Sequence, residues 1–142
     1  MKISRTLLVV MVVATLFLAG CETAKPAALS NDQVVQVVDN ILTAVNAGDF
    51  QGFNKDFSEE MSASFSEEQF NELVDLLRNS SGNCVSCADT EPGLLNNQGY
   101  AVYRLACTYE LESVMVTVTF KIDGDKVEGL FFDSTNLRNI GQ

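Results

Sequence analysis

The 142-residue chain has no histidine, no tryptophan and only two prolines. Basic residues are scarce: nine Lys and Arg stand against nineteen Asp and Glu, a formal charge of −10. Without histidine the usual general base is missing, and with it the Ser-His-Asp and Cys-His arrangements. The commonest metal ligand is missing too. So few Lys and Arg argue against nucleic acid as a partner, because phosphate binding needs clustered positive charge. Anionic lipid headgroups would repel the same surface, so any membrane attachment has to come from a covalent lipid. The acidity itself reads as a solubility device.

Long apolar runs are also lacking. Leu7 to Leu18 is apolar except for Thr15, which is too short for a comfortable transmembrane helix and has the length of a secretory signal core. Lys2 and Arg5 precede it as a positive n-region. Leu18-Ala19-Gly20-Cys21 closes it and resembles the bacterial lipobox. That resemblance implies cleavage before Cys21, a diacylglyceryl group on its thiol and acylation of the new amine. Two or three acyl chains anchor stably where one is marginal. Residues 1–20 are therefore expected to be a signal peptide and 21–29 a tether. The domain would be 30–135 and the C-terminal tail 136–142. The mature chain would hold 122 residues, enough for one core. With Lys2 and Arg5 gone it would carry seven basic and nineteen acidic side chains, a charge of −12. The expected location is extracytoplasmic, lipid-anchored to the cell membrane or outer membrane. Glu22, where an Asp would resemble an inner-membrane retention signal, favours the latter in a two-membrane host.

Helix signals open the mature domain. Ser30 with Gln33 reads as a capping box, and Val34, Val37, Val38, Ile41, Leu42 and Val45 form one apolar stripe ended by Gly48. Asp49 can cap a short helix bearing Phe50, Phe53 and Phe57. Ser66 with Gln69 opens another helix, running to about Arg78 with Phe70, Leu73, Val74 and Leu77 inward. Glu59, Glu60, Glu67 and Glu68 sit at helix starts, where the dipole favours them. The period then changes to two. A short strand is expected over 83–89, a longer one over 100–110, an alternating one over 114–122 and a last one over 126–133. Asp123-Gly124-Asp125 would make a tight hairpin between the last two.

Helices followed by an antiparallel meander predict an α+β fold, with N-terminal helices packed on a curved four-stranded antiparallel sheet. Three segments carry a resemblance: Asn46-Ala47-Gly48-Asp49-Phe50, the helix start Phe65-Ser66-Glu67-Glu68-Gln69-Phe70, and Lys126-Val127-Glu128-Gly129-Leu130-Phe131-Phe132. Over about residues 32–135 the chain resembles a family of small secreted domains of unknown function. These belong to the cystatin-like cone superfamily, with nuclear transport factor two, the ketosteroid isomerases and SnoaL-like cyclases. The resemblance implies the cone and leaves the activity open, since enzymes, binding modules and interaction domains share it.

Candidate sites are few. Cys84-Val85-Ser86-Cys87 is a C-x-x-C followed by Cys107, and outside the cytoplasm such thiols are usually oxidised. A hairpin centred between Leu95 and Asn96 would set Cys84 opposite Cys107 for a disulfide, with Cys87 opposite Arg104 and free. Cys84–Cys87 is the competing pair. A redox pair at a helix start does not fit a motif that runs into a strand. Zinc would need Asp89 or Glu91 as fourth ligand, so no metal and no cofactor is expected. Asp123, Asp125 and Glu128 lack the spacing of a calcium loop.

Phe50, Phe53, Phe57 and Phe70, with Phe65 beside them and Tyr103 on the facing strand, either line an apolar ligand pocket or fill the cone. A histidine-free isomerase or cyclase could use Tyr103 and Tyr109, which share one strand face, but no inward carboxylate accompanies them and core or rim packing explains both; no catalytic residue is assigned. The outer sheet face, with Val102, Arg104, Ala106, Thr108, Met115, Thr117 and Thr119, could support a homodimer. The expected function is a non-catalytic, membrane-anchored domain that binds a small apolar ligand or an envelope protein. Its rivals are the isomerase-like enzyme and a dimeric structural role.

Overall fold

The computed structural model describes residues 29–88, 94–95 and 98–140. The expected signal peptide, Cys21, most of the tether, Asp89 and Glu91 lie outside the described residues. Four helices come first: α1 (Asn31–Ala47), α2 (Phe50–Asn54), α3 (Glu59–Ala63) and α4 (Glu67–Ser80). Both capping boxes form, at Ser30 with Gln33 and at Ser66 with Gln69. Asp49 caps α2 by accepting from the Gly52 N–H, and Ser58 caps α3. Each cap satisfies an amide that a helix start leaves without an internal partner. Gly48 ends α1 at φ +69°, a left-handed turn that a side chain would disfavour.

The strands are β1 (Cys84–Cys87), β2 (Leu94–Leu95), β3 (Tyr100–Tyr109), β4 (Ser113–Lys121) and β5 (Val127–Asp133). All pairings are antiparallel in the order β1-β3-β4-β5, and β2 also pairs with β3. β1 and β2 thus share one edge: β1 runs beside Cys107 to Tyr109, β2 beside Ala101 and Val102. The fold is α+β, with helices on a sheet of four strand positions. Alternation along β3 buries Ala101, Tyr103, Leu105, Cys107 and Tyr109; along β4 it buries Val114, Val116, Val118 and Phe120. These meet Val34, Val38, Ile41, Leu42 and Val45 of α1 and the buried face of α4 in one core. Thr135–Asn139, at the junction of the expected domain and tail, form a short helix α5 capped by Ser134.

The cysteine register is a correction. Cys84 faces Tyr109, not Cys107, and the disulfide joins Cys87 to Cys107, with Cys84 free. Two differences produce this: β1 meets β3 two positions further along than expected, at Tyr109, and a bulge between Cys84 and Ser86 then brings Cys87 to Cys107. Two steps on β1 there match one on β3, and the extra residue, Val85, is turned out and 66% exposed. A bulge displaces every residue beyond it by one position relative to its partner strand. In a regular strand Cys84 and Cys87 would point to opposite faces. With one residue looped out they act as neighbours two apart and share the face that Cys107 and Tyr109 occupy.

Candidate functional site

An apolar cavity of about 410 Å³ lies among α3, α4, β5 and α5. It exists because β5 is an edge strand that the helices do not fully cover. Leu130 and Phe132 pair with Val118 and Val116, whose side chains are completely buried. Leu130 and Phe132 stand on the same inner face yet remain only half-buried, and both line the cavity. Phe53 and Leu77 are its buried walls, and Leu137 enters from α5. Leu76, on α4, is 39% exposed at its margin.

Polar groups are sparse here. Asp133 and Arg138 contribute the charge, and they are bound to each other through two hydrogen bonds of 2.7 Å. That hydrogen bond, with the guanidinium charge adding to it, holds the Asp133 carboxyl below the usual carboxylate range against a smaller desolvation effect.

α5 is fastened by Glu112, on the turn between β3 and β4. Its carboxylate accepts from Ser81 Oγ at 2.6 Å, Ser134 Oγ at 2.7 Å and the Asn136 N–H at 3.1 Å. One side chain thereby joins the end of α4, the β3–β4 turn and the start of α5. Partial burial pushes its pKa up, but the bonds from Ser134, Ser81 and Asn136 outweigh this and leave it below the usual glutamate range. The serine at position 134, a residue type favoured at helix starts, was the available signal. Only the fold shows that one carboxylate serves both Ser81 and Ser134.

A depressed native pKa makes the charged form the stabilising one. The contribution of Glu112 should be complete above the ordinary glutamate range and fade as the pH falls through its lower native value. Thermal melts of wild type and Glu112→Gln should differ near neutrality and converge in strong acid. A gap that widens on acidification would contradict this role.

The candidate pocket residues mostly fill the core instead of lining this cavity. Phe53 is the one of Phe50, Phe53, Phe57, Phe70 and Tyr103 that reaches it. Phe70 packs on Phe50 at 5.6 Å and on Phe53 at 4.8 Å, and Phe57 sits edge-on to Phe53 at 4.7 Å. Phe65, outside that set, does line the cavity. Tyr103 stands edge-on to Phe120 and donates its hydroxyl to the Leu29 carbonyl at 2.8 Å. The Tyr109 hydroxyl is buried with no hydrogen bond among the described residues, and burial, then the nearby Cys84, push its pKa up. Neither tyrosine lines the apolar cavity.

On the other side of the core, the Sγ atoms of Cys84, Cys87 and Cys107 lie within 4.8 Å of one another. Burial, then the Asp39 carboxylate, raise the Cys84 pKa, partly offset by a backbone hydrogen bond at Ser86. The outer sheet face is exposed at Arg104, Ala106, Thr108 and Met115 and half-buried at Val102, Thr117 and Thr119.

A family model described as a protein of unknown function (DUF3887) matches residues 38–130. The matched span runs from the middle of α1 to β5 and includes most of the core described above. The chain belongs to this family. No curated protein and no solved structure matches it.

Proposed function

We propose that this member of the DUF3887 family is a non-catalytic binding domain, carried outside the cytoplasm on a lipid at Cys21, that holds a small apolar molecule between α4, β5 and α5. The cavity carries this reading. Its volume falls in the range of about 300–1,000 Å³ common for small-molecule sites, and its lining is nearly all hydrocarbon with one internally paired charge couple. Such a lining recognises a hydrocarbon body by burial of apolar area.

The same chemistry disfavours the isomerase-like alternative. A general base works best with a pKa near the working pH. The carboxylate in the lining, Asp133, is held low by Arg138. The helix-first order and the helices packed on the sheet agree with the cone-like fold that the sequence resembles. The disulfide suits an oxidising compartment. Among the described residues no helix is long and apolar enough to cross a membrane.

The test of binding uses an environment-sensitive naphthylamine dye as the probe. Wild type should bind it saturably at one site. Leu76→Asp places a charge at the cavity margin on a residue already exposed, and should weaken binding about tenfold or more, since each 1.4 kcal/mol is a factor of ten. Leu111→Asp, at a 67% exposed leucine outside the cavity, should change nothing. No saturable binding by wild type, or equal loss in both variants, would refute the site. For the anchor, mass spectrometry of the native N-terminus should find Cys21 bearing diacylglycerol, and Cys21→Ser should leave the precursor uncut or free the domain. A mature N-terminus at another residue would exclude it.

A further inference from the structure

The bridge and the unpaired thiol lie too close together to be treated separately. Cys84, Cys87 and Cys107 form one three-sulfur cluster, each sulfur within 4.8 Å of the others, although one bond joins only Cys87 and Cys107. The bulge at Val85 creates this proximity by turning Cys84 onto the face of Cys87. Asn46 of α1 then fixes Cys84. Its side-chain amide accepts from the Cys84 N–H at 3.0 Å and donates to the Cys84 carbonyl at 2.9 Å, a reciprocal pair across 38 residues. Cys84 and Cys87 are half-buried and line a surface cavity of about 360 Å³ with Asp39, Thr43 and Asn46, whereas Cys107 is completely buried.

We propose that these three cysteines form a thiol–disulfide exchange site, in which the Cys84 sulfur attacks the Cys87–Cys107 bridge and releases Cys87 as a thiol into the surface cavity, where it can pair with a disulfide-bearing partner. Exchange proceeds by attack of a thiolate on one sulfur with departure of the other. Burial decides which sulfur departs. Expelling Cys107 would create a thiolate in the apolar core, which desolvation opposes. Expelling Cys87 places the new charge at a half-exposed position beside the cavity.

The step is balanced internally. Cys84 loses its proton and forms a bond to Cys107 Sγ, the Cys87–Cys107 bond breaks, and the Cys87 sulfur takes the electron pair and then a proton. One disulfide and one thiol remain, so no oxidant or reductant is consumed. The Cys87 thiolate can next attack the disulfide of a partner, forming a mixed disulfide as the partner's second sulfur leaves as thiolate. Burial, then the Asp39 carboxylate of α1, oppose charge on Cys84, partly offset by the backbone hydrogen bond at Ser86, so the attacking thiolate forms more readily on the alkaline side of neutrality.

Iodoacetamide labelling of the native, unreduced chain at mildly alkaline pH, read by peptide mapping, tests this. Within the cluster each molecule has one free thiol at a time. The expected result is two singly labelled populations, one at Cys84 and one at Cys87, with Cys107 always bridged. Cys84→Ser should abolish the Cys87 label, and Cys87→Ser should yield a Cys84–Cys107 bridge. Label confined to Cys84 would overturn the proposal. So would a Cys87 label that persists in Cys84→Ser, which would mean that the bridge is merely incomplete. Failure of Cys87→Ser to form the new bridge would show that Cys84 cannot reach Cys107.

Discussion

Phe53→Ala should destabilise the domain by about 3–5 kcal/mol, the range for removing a buried aromatic ring. Phe53 is fully buried on α2, with Phe57, Phe65 and Phe70 at ring-centroid distances of 4.7, 5.5 and 4.8 Å. Deleting its ring removes apolar burial and leaves a void between rings that are each held by their own elements, so collapse can fill little of it. Aromatic pairing adds about 0.5–1.5 kcal/mol per contact beyond area. Phe131→Ala provides the comparison: Phe131 is 63% exposed, and its loss should cost less than about 1 kcal/mol. Urea unfolding of the two variants decides the matter. Equal midpoints would mean that the aromatic cluster does not hold the helices to the sheet. Phe53 also lines the apolar cavity, so the variant should bind the naphthylamine dye differently even where it remains folded.

Removing the disulfide should have the second largest effect. The bridge spans a sequence separation of 20, and on the chain-entropy account a loop of that size stabilises by about 3 kcal/mol. Its contribution should exceed that of any surface ion pair here. Lys121–Glu128 and Asp133–Arg138 are both solvent-accessible, and such pairs are typically worth about 0–1 kcal/mol. The double variant Cys87→Ala/Cys107→Ala should therefore unfold at clearly lower urea than wild type without reductant. In dithiothreitol the two should nearly converge, the remainder reflecting the lost burial of the Cys107 sulfur. If the variant and wild type already coincide without reductant, either the bridge contributes nothing or it has not formed, and thiol counting separates these.

Much of the architecture was legible because local signals are short-range. The capping boxes at Ser30 and Ser66, the turn at Gly48 and the cap at Asp49 depend on residues no more than a few positions apart, and each formed where expected. The inward set on β3, Ala101 through Tyr109, follows from the period of two and is buried throughout. α5 was missed because its five residues carry no apolar period and rest on the Ser134 cap and on Glu112, which lies 22 positions before that serine.

By itself the sequence determined the fold class, the core-facing residues of the long elements, and the absence of any histidine-dependent chemistry. Those properties follow from composition and from periodicities that a helix or strand imposes on its own residues. The tertiary structure alone decided which cysteines pair, where the cavity lies and what Glu112 does. The bulge at Val85 shifts the register by one residue, and a one-residue shift exchanges faces. No spacing in the sequence announces that shift or the position at which β1 meets β3. The cavity likewise belongs to no single segment. It is the space left where α4 and α5 do not cover the inner face of β5, so Leu130 and Phe132, which the alternation alone would bury, stay half-open.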